Sequence, residues 1–385
     1  MSYSPQAKGN LEKILKPRPR IHIYGQLPPP FHGSNVMTRA FLGALRDLGA
    51  EAGITSKTFS RKVEEVNRWK AVKAWRYVRY LGRFMRDLKK SGADLAVYFP
   101  SSRRLGLLAE FPLVLWARVL RVPYILYLHT RGYGRLHGKS FFFRWIIDGM
   151  FRPALGVLVL GRTFEEEIRG FSPGKIFILP NCLEGEEPPG KSGESPGTQI
   201  LFLSNLQESK GIRTLVGAIP EVVRTAPNAL FVIAGPWQDR SVERELRDFL
   251  EREGVGKSVR WTGPVYGREK DDLFGSSDMF VFPTHYPYEA MSLVVLEAMR
   301  SGLPVITSDV GALSEVVLDG RTGFVLPPRN PRRLAEKILL LVHDPRLRRR
   351  MGEESRRRFR EEYSSAAYRR RIGRILEALG LSPTS

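Results

Sequence analysis

Two glutamates eight residues apart, Glu289 and Glu297, bracket the stretch EAMSLVVLE, and Ser292 stands between them just ahead of an apolar run that continues to Met299. Serine before such a run is a helix N-cap and Gly302 is a stop, so the pattern predicts a helix from Leu293 to Arg300. Glu289 then lies on the incoming loop, and Glu297 faces outward on the second turn. A helix start offers unpaired amides, here near Ala290, Met291, Ser292 and Leu293, and the positive end of a dipole, which together suit a phosphate. Eight helical residues span about 12 Å, roughly a diphosphate with a sugar at either side. One carboxylate would take hydrogen bonds from the hydroxyls at one end, and its partner from those at the other.

A cation for the same phosphate stands in LFLSNLQESKGIRTL, where Lys210 follows an apolar run that reads as a strand. A lysine between strand and helix neutralises a diphosphate without a metal. HExxH and cysteine-rich patterns are absent, so a metal-independent site is expected. In PPPFHGSNVM, Gly33 and Ser34 permit close backbone approach ahead of another helix. His129 closes the run YILYLH. Glu315, in GALSEVVLDG, is either a partner for a helix dipole or a ligand residue. One motif misleads: Gly185 to Ser192 (GEEPPGKS) fits the Walker A spacing, but two prolines remove amides and two glutamates repel phosphate.

These residues need a scaffold, and the hydrophobic pattern describes one. RIHIYG (Arg20 to Gly25) reads as a strand, followed by a proline-rich loop and a helix from about Val36 to Leu48. Short apolar runs at Leu95 to Phe99, Tyr124 to His129, Val157 to Leu160 and Ile176 to Leu179 read as further strands. Residues 184–198, rich in Pro, Gly, Ser and Glu, read as a linker. Beyond them ILFLS, ALFVIAG, VRWTG, DMFVFPT, LPVIT and GFVL restart the pattern, and the arginine-rich tail from Pro331 to Leu379 is helical. Strand alternating with helix implies doubly wound parallel sheets, which bind ligands at the carboxyl ends of their strands. Two such domains place a cleft between them.

At 385 residues the chain has room for two cores. No run of 18 apolar residues and no apolar leader is present, and Cys182 is the single cysteine, which together favour a cytoplasmic protein. The net charge of +21 calls for a partner: nucleic acid, anionic lipid or a phosphorylated substrate. No nucleic-acid signature is evident, so no nucleic acid is expected. The charge concentrates in residues 67–90, where Arg76, Arg79, Arg83, Arg86 and Lys90 fall on one side of a helix flanked by Trp69 and Trp75. Tyr77, Val78, Leu81, Phe84, Met85 and Leu88 fall on the opposite side. Such a helix either docks on anionic lipid at the inner face of a membrane, with KSFFFRW (Lys139 to Trp145) in support, or packs on the sheet and leaves its arginines in water.

Glu289-x7-Glu297, followed by GLPVITSDVGALSEVV and DGRTGFVLPP, resembles the C-terminal signature of retaining GT-B glycosyltransferases of the family 4 type. The resemblance covers most of Ile200 to Leu340 and, more loosely, the first half. It implies an α/β fold with two Rossmann-like domains facing across a cleft. Residues 1–183 would bind the acceptor, 184–198 link, and 199–360 bind a nucleotide sugar, with 361–385 a helix crossing back toward the first domain. It places Glu289 on the donor sugar, Glu297 on ribose, Lys210 and the intervening amides on the diphosphate, His129 beside the transferred sugar, and Gly33-Ser34 on diphosphate or acceptor. Family members pair the lysine with an arginine about five residues earlier. Here that position is Asn205, leaving Arg213 as a substitute, and Cys182 replaces the glycine of an interdomain Pro-Asn-Gly around Asn181. The implied activity is metal-independent transfer from a UDP- or GDP-sugar, without a cofactor, to a hydroxyl acceptor on a lipid-linked or cell-envelope precursor. Alternatives on the same fold are a non-catalytic sugar-nucleotide binder and a nucleotide-sugar epimerase.

Overall fold

The computed structural model describes residues 18–29, 33–56, 71–185 and 197–381. Its contacts divide into two compact units. The first comprises the described residues to Val159, Glu165–Leu179 and the stretch from Tyr368, and the second Leu160–Phe164 with Pro180–Ala367. Each unit holds one six-stranded sheet, and every strand pairing in both is parallel.

In the first unit the strands are β1 (Arg20–Gly25), β2 (Glu51–Ser56), β3 (Leu95–Tyr98), β4 (Tyr124–Tyr127), β5 (Gly156–Val159) and β6 (Lys175–Ile178), in the order β2-β1-β3-β4-β5-β6. Between them run α1 (Gly33–Asp47), α2 (Ala71–Ser91), α3 (Arg104–Val119), α4 (Tyr133–Lys139) and α5 (Phe141–Phe151), with α6 (Arg162–Ile168) following β5. All four residues of β3, β4 and β5 are buried, which is why these strands read as continuous apolar runs. The edge strand β2, EAGITS, alternates too weakly to be read from sequence, and the sequence reading missed it. Buried tyrosines fill this core with their hydroxyls satisfied: Tyr98 donates to Leu113 O at 3.1 Å and Tyr124 to Met150 O at 2.8 Å.

The second unit orders its strands β12-β11-β10-β7-β8-β9: β7 (Thr198–Leu203), β8 (Ala229–Ala234), β9 (Val259–Gly263), β10 (Met279–Phe282), β11 (Val305–Ser308) and β12 (Gly323–Leu326). Its helices are α7 (Ile212–Thr225), α8 (Arg240–Arg252), α9 (Gly267–Ser276), α10 (Leu293–Arg300), α11 (Leu313–Val316), α12 (Pro331–His343) and α13 (Pro345–Arg358). Asn330 and Asp344 cap α12 and α13, each ahead of a proline at the first helical position. After a π-type turn at Phe359–Tyr363 comes α14 (Ser365–Ala378), which from Tyr368 on belongs to the first unit; there Tyr368, Ile372 and Leu376 are buried, and the Tyr368 hydroxyl lies 3.2 Å from that of Tyr127.

Both sheets contain a point where the strand order reverses, between β1 and β3 in the first and between β7 and β10 in the second. In parallel sheets of this kind, such a point at the carboxyl ends of the strands is where ligands bind.

Candidate functional site

The reversal in the second sheet is where Lys210 and Glu289 meet. Lys210 ends a short 3-10 turn (Glu208–Lys210) after β7, and Glu289 lies on the loop after β10. Gly211, at φ +90°, brings the two loops together: a Cβ there would lie 2.1 Å from the carbonyl oxygen of Pro283. The loops are also tied by His285 N donating to Ser209 O at 2.8 Å and by Thr284 Oγ1 donating to the same oxygen at 3.2 Å. As a result Lys210 Nζ sits 2.6 Å from Glu289 Oε2 and 4.5 Å from the centre of the Tyr286 ring. On its other side the Glu289 loop rests on Gly311, whose φ of +65° and missing side chain leave space for the carbonyls of Glu289 and Ala290. Ala312 N donates to Ala290 O at 2.8 Å.

The helix expected over Leu293 to Arg300 is α10, with Ser292 extended at its N-cap. The Ser292 side chain makes no capping bond, and the amides of Ser292, Leu293 and Val294 have no partner among the described residues. Unpaired donors at a helix start beside a lysine are an arrangement that favours an anion. Asn181 holds the preceding residue in place, its Nδ2 donating to Met291 O at 2.8 Å.

Glu297 does not face outward as the sequence suggested. Five consecutive residues of α10, Val295 to Met299, are buried, because the helix is apolar on nearly every side and is covered by α13 and the π-type turn. Glu289 and Glu297 are 6% and 9% exposed, so both acids need partners. Glu297 Oε1 accepts a hydrogen bond from Lys270 Nζ on α9 at 2.6 Å, while its Oε2 is enclosed and has no partner among the described residues. Sequence reading missed Lys270, since the charged start of α9, GREKDD, looks like an ordinary solvated turn.

Two proposed donor residues lie apart from this pairing. Asn205 is exposed. Arg213 is committed to carboxylates, 2.7 Å from Glu208 and 2.6 Å from Glu245, which stabilise its charged form further. Glu315 accepts from Arg162 N at 2.8 Å, Thr163 N at 2.9 Å and Thr163 Oγ1 at 2.8 Å, so it serves as an amide partner with its oxygens taken. The Walker-like stretch lies outside the described residues beyond Gly185.

In the first unit His129 follows β4, stacked on Phe99 with ring planes 12° apart and 4.2 Å from the Tyr127 ring centre. Its Nε2 is enclosed without a hydrogen bond, and burial pushes its pKa down to about 3, leaving a neutral imidazole near pH 7. Gly33 and Ser34 are exposed and form the first residues of α1 itself, three residues ahead of the expected start. His32, beside them, lies outside the described residues.

On the basic helix, Arg79, Arg83, Arg86 and Lys90 are exposed while Tyr80, Phe84 and Leu88 are buried against the sheet. Val78, assigned above to the apolar face, is 63% exposed, because that face is narrower than a wheel suggests. Trp69 and the side chains of Trp75 and Arg76 lie outside the described residues.

Two six-stranded parallel sheets of this kind, each with a reversal of strand order, define the GT-B fold. Solved structures agree: sucrose-phosphate synthase from Thermosynechococcus elongatus superposes with a TM-score of 0.72 at 18% identity, covering 94% of this chain and 99% of that one. The HepE protein of Anabaena, crystallised with UDP, gives 0.71 at 16%, covering 93% and 100%. At such identities these likenesses speak for the fold alone. The family model Glycosyl transferases group 1 matches residues 186–358, a little under half of the chain. Among curated relatives, glycogen synthase of Mycobacterium tuberculosis is 26% identical over 292 residues, 72% of this chain and 68% of that protein. Alpha-D-kanosaminyltransferase of Streptomyces kanamyceticus is 25% identical over 297 residues, 72% and 75%. Together these findings support a GT-B glycosyltransferase.

Proposed function

We propose that the protein is a retaining glycosyltransferase that moves a sugar from a UDP- or GDP-sugar to a hydroxyl of a lipid-linked or cell-envelope glycan precursor. The observation that carries this reading is the set of groups at the start of α10: the Lys210–Glu289 pair with unpaired amides beside it, and Glu297 held by Lys270 one turn on. The diphosphate lies on the amides around Met291, Ser292 and Leu293 and on Lys210. Glu289 holds that lysine and the sugar hydroxyls, and Glu297, carried by Lys270, accepts from the ribose. The acceptor belongs to the first unit, near Gly33 and His129, where a neutral imidazole hydrogen-bonds a hydroxyl rather than taking its proton. The bond from the anomeric carbon to the diphosphate breaks as negative charge grows beside Lys210. A bond to the acceptor oxygen forms on the same face of the sugar, and the departing phosphate oxygen takes the acceptor proton. No metal or cofactor enters this scheme. That Anabaena HepE was crystallised with UDP and with UDP-glucose agrees with a nucleotide-sugar donor.

A thermal-shift series with UDP-glucose, UDP-N-acetylglucosamine and GDP-mannose tests the donor site. One donor is expected to stabilise the protein, and Lys210→Ala and Glu297→Ala each to abolish the effect. Stabilisation indifferent to both substitutions rejects the assignment.

For the acceptor side we propose peripheral contact with anionic membrane through α2 and α5. Phe141, Phe142 and Trp145 are 83%, 52% and 56% exposed, beside the exposed Lys139 and Arg144. Helix α3 bridges this patch to the basic helix, through Phe111 against Trp145 (5.1 Å) and Trp116 Nε1 donating to Met85 O. Aromatics ringed by cations suit a headgroup layer. Co-sedimentation with phosphatidylglycerol vesicles is expected at low salt and to weaken as salt rises or when the three aromatics become alanine. Absence of sedimentation at low salt removes the membrane role.

A further inference from the structure

A cavity of about 630 Å³ opens at the other edge of the second sheet, lined by Thr198, Asp278 and Pro304 at the amino ends of β7, β10 and β11. It is separate from Lys210 and Glu289, which follow the carboxyl ends of the same sheet. Three arginines of α13, Arg348, Arg349 and Arg356, face it against one carboxylate, Asp278. Arg348 is spent internally, donating to Leu341 O at 2.8 Å and lying 3.8 Å from Asp278. The other two are not. Among the described residues Arg349, which is exposed, has no hydrogen bond or ion pair, and Arg356 makes one bond, from Nη2 to Ser301 O at 2.9 Å, with its Nε enclosed and unpartnered. The Ser301 hydroxyl is enclosed and unpartnered as well.

A cavity faced by two guanidinium groups that no carboxylate among the described residues neutralises favours an anionic, acceptor-rich guest. Guanidinium forks fit phosphate oxygens bidentately. The volume exceeds that of a bare phosphate and falls in the range of small-molecule sites. We propose that this cavity binds a phosphorylated small molecule, of sugar-phosphate to mononucleotide size, through Arg349 and Arg356. Arg356 also holds Ser301, the C-cap of α10, so the ligand sits at the far end of the helix that carries Glu297.

Calorimetric titration of the full chain with ribose 5-phosphate, AMP and inorganic pyrophosphate tests this. At least one probe is expected to bind saturably with a Kd below about 1 mM, and Arg349→Ala or Arg356→Gln to weaken it by about tenfold or more. Lys210→Ala is expected to leave that binding unchanged. Arg349 is exposed and touches no partner among the described residues, so its substitution is expected to leave the melting temperature in place. Two outcomes overturn the proposal: no saturable binding of any probe, or binding that Lys210→Ala abolishes and Arg349→Ala spares.

Discussion

The two units place reversal points on sheets of the same parallel kind and furnish them differently. In the second, a lysine and a glutamate meet at 2.6 Å across the reversal beside unpaired amides. In the first, the helix after β1 opens on the exposed Gly33 and Ser34, and the histidine one strand beyond the reversal is held neutral by burial. Topology therefore supplies a reversal point in both, while among the described residues a lysine–glutamate pair meets across only one of them. Phosphate requires charge and amides; an uncharged hydroxyl requires shape and neutral hydrogen-bonding groups.

The contrast is broken most forcefully at its glycines. Gly211→Ala pushes a Cβ against Pro283 O in a backbone conformation that L-residues avoid, and is expected to lower stability by ~2–4 kcal/mol, read from the urea midpoint. Gly33→Ala, exposed at a helix start, should move that midpoint by under about 0.5 kcal/mol. Equal losses would erase the distinction between the two reversal points. Next in size is Lys210→Ala, expected to reduce kcat with the best donor by about 10²–10³-fold, the loss typical of one group aimed at developing charge. A change within threefold would move the phosphate elsewhere.

Glu297→Gln sharpens the comparison within the second unit. The native protein is expected to prefer UDP over 2′-deoxy-UDP by about tenfold, and the variant to narrow that gap, as seen by competition calorimetry. A last test concerns His129 and is read as a pH slope. With a folded pKa near 3 against 6.5 unfolded, only the unfolded chain takes up this proton in between. Its contribution is constant above about pH 6.5 and stability falls as pH drops toward 3, by at most about 1.4 kcal/mol per pH unit. His129→Gln should flatten that slope in denaturation curves at pH 7 and 5, and an unchanged slope would show the imidazole titrating normally.

Much of this was legible beforehand because it depends on local patterns. Fully buried parallel strands announce themselves as apolar runs, and α10 was bounded by its serine and glycine. The edge strand β2 was not, since an edge needs little apolar content. Nor was the start of α1, whose sequence looks like loop.

Spacing along the chain was enough to nominate Lys210, Glu289 and Glu297 and to say that a helix start lay between the acids. What each charge touches depended on elements far apart in sequence. Lys210 reaches Glu289 across 79 residues because Gly211 lets two loops interlock, and Lys270 reaches Glu297 across 27 because α9 lies within side-chain reach of the buried middle of α10. Burial turned an acid expected in solvent into one that needs a lysine, and turned His129 into a neutral group. Both reversals follow from the cost of keeping charge away from water, which is fixed when the layers pack and leaves no mark on the local residue pattern.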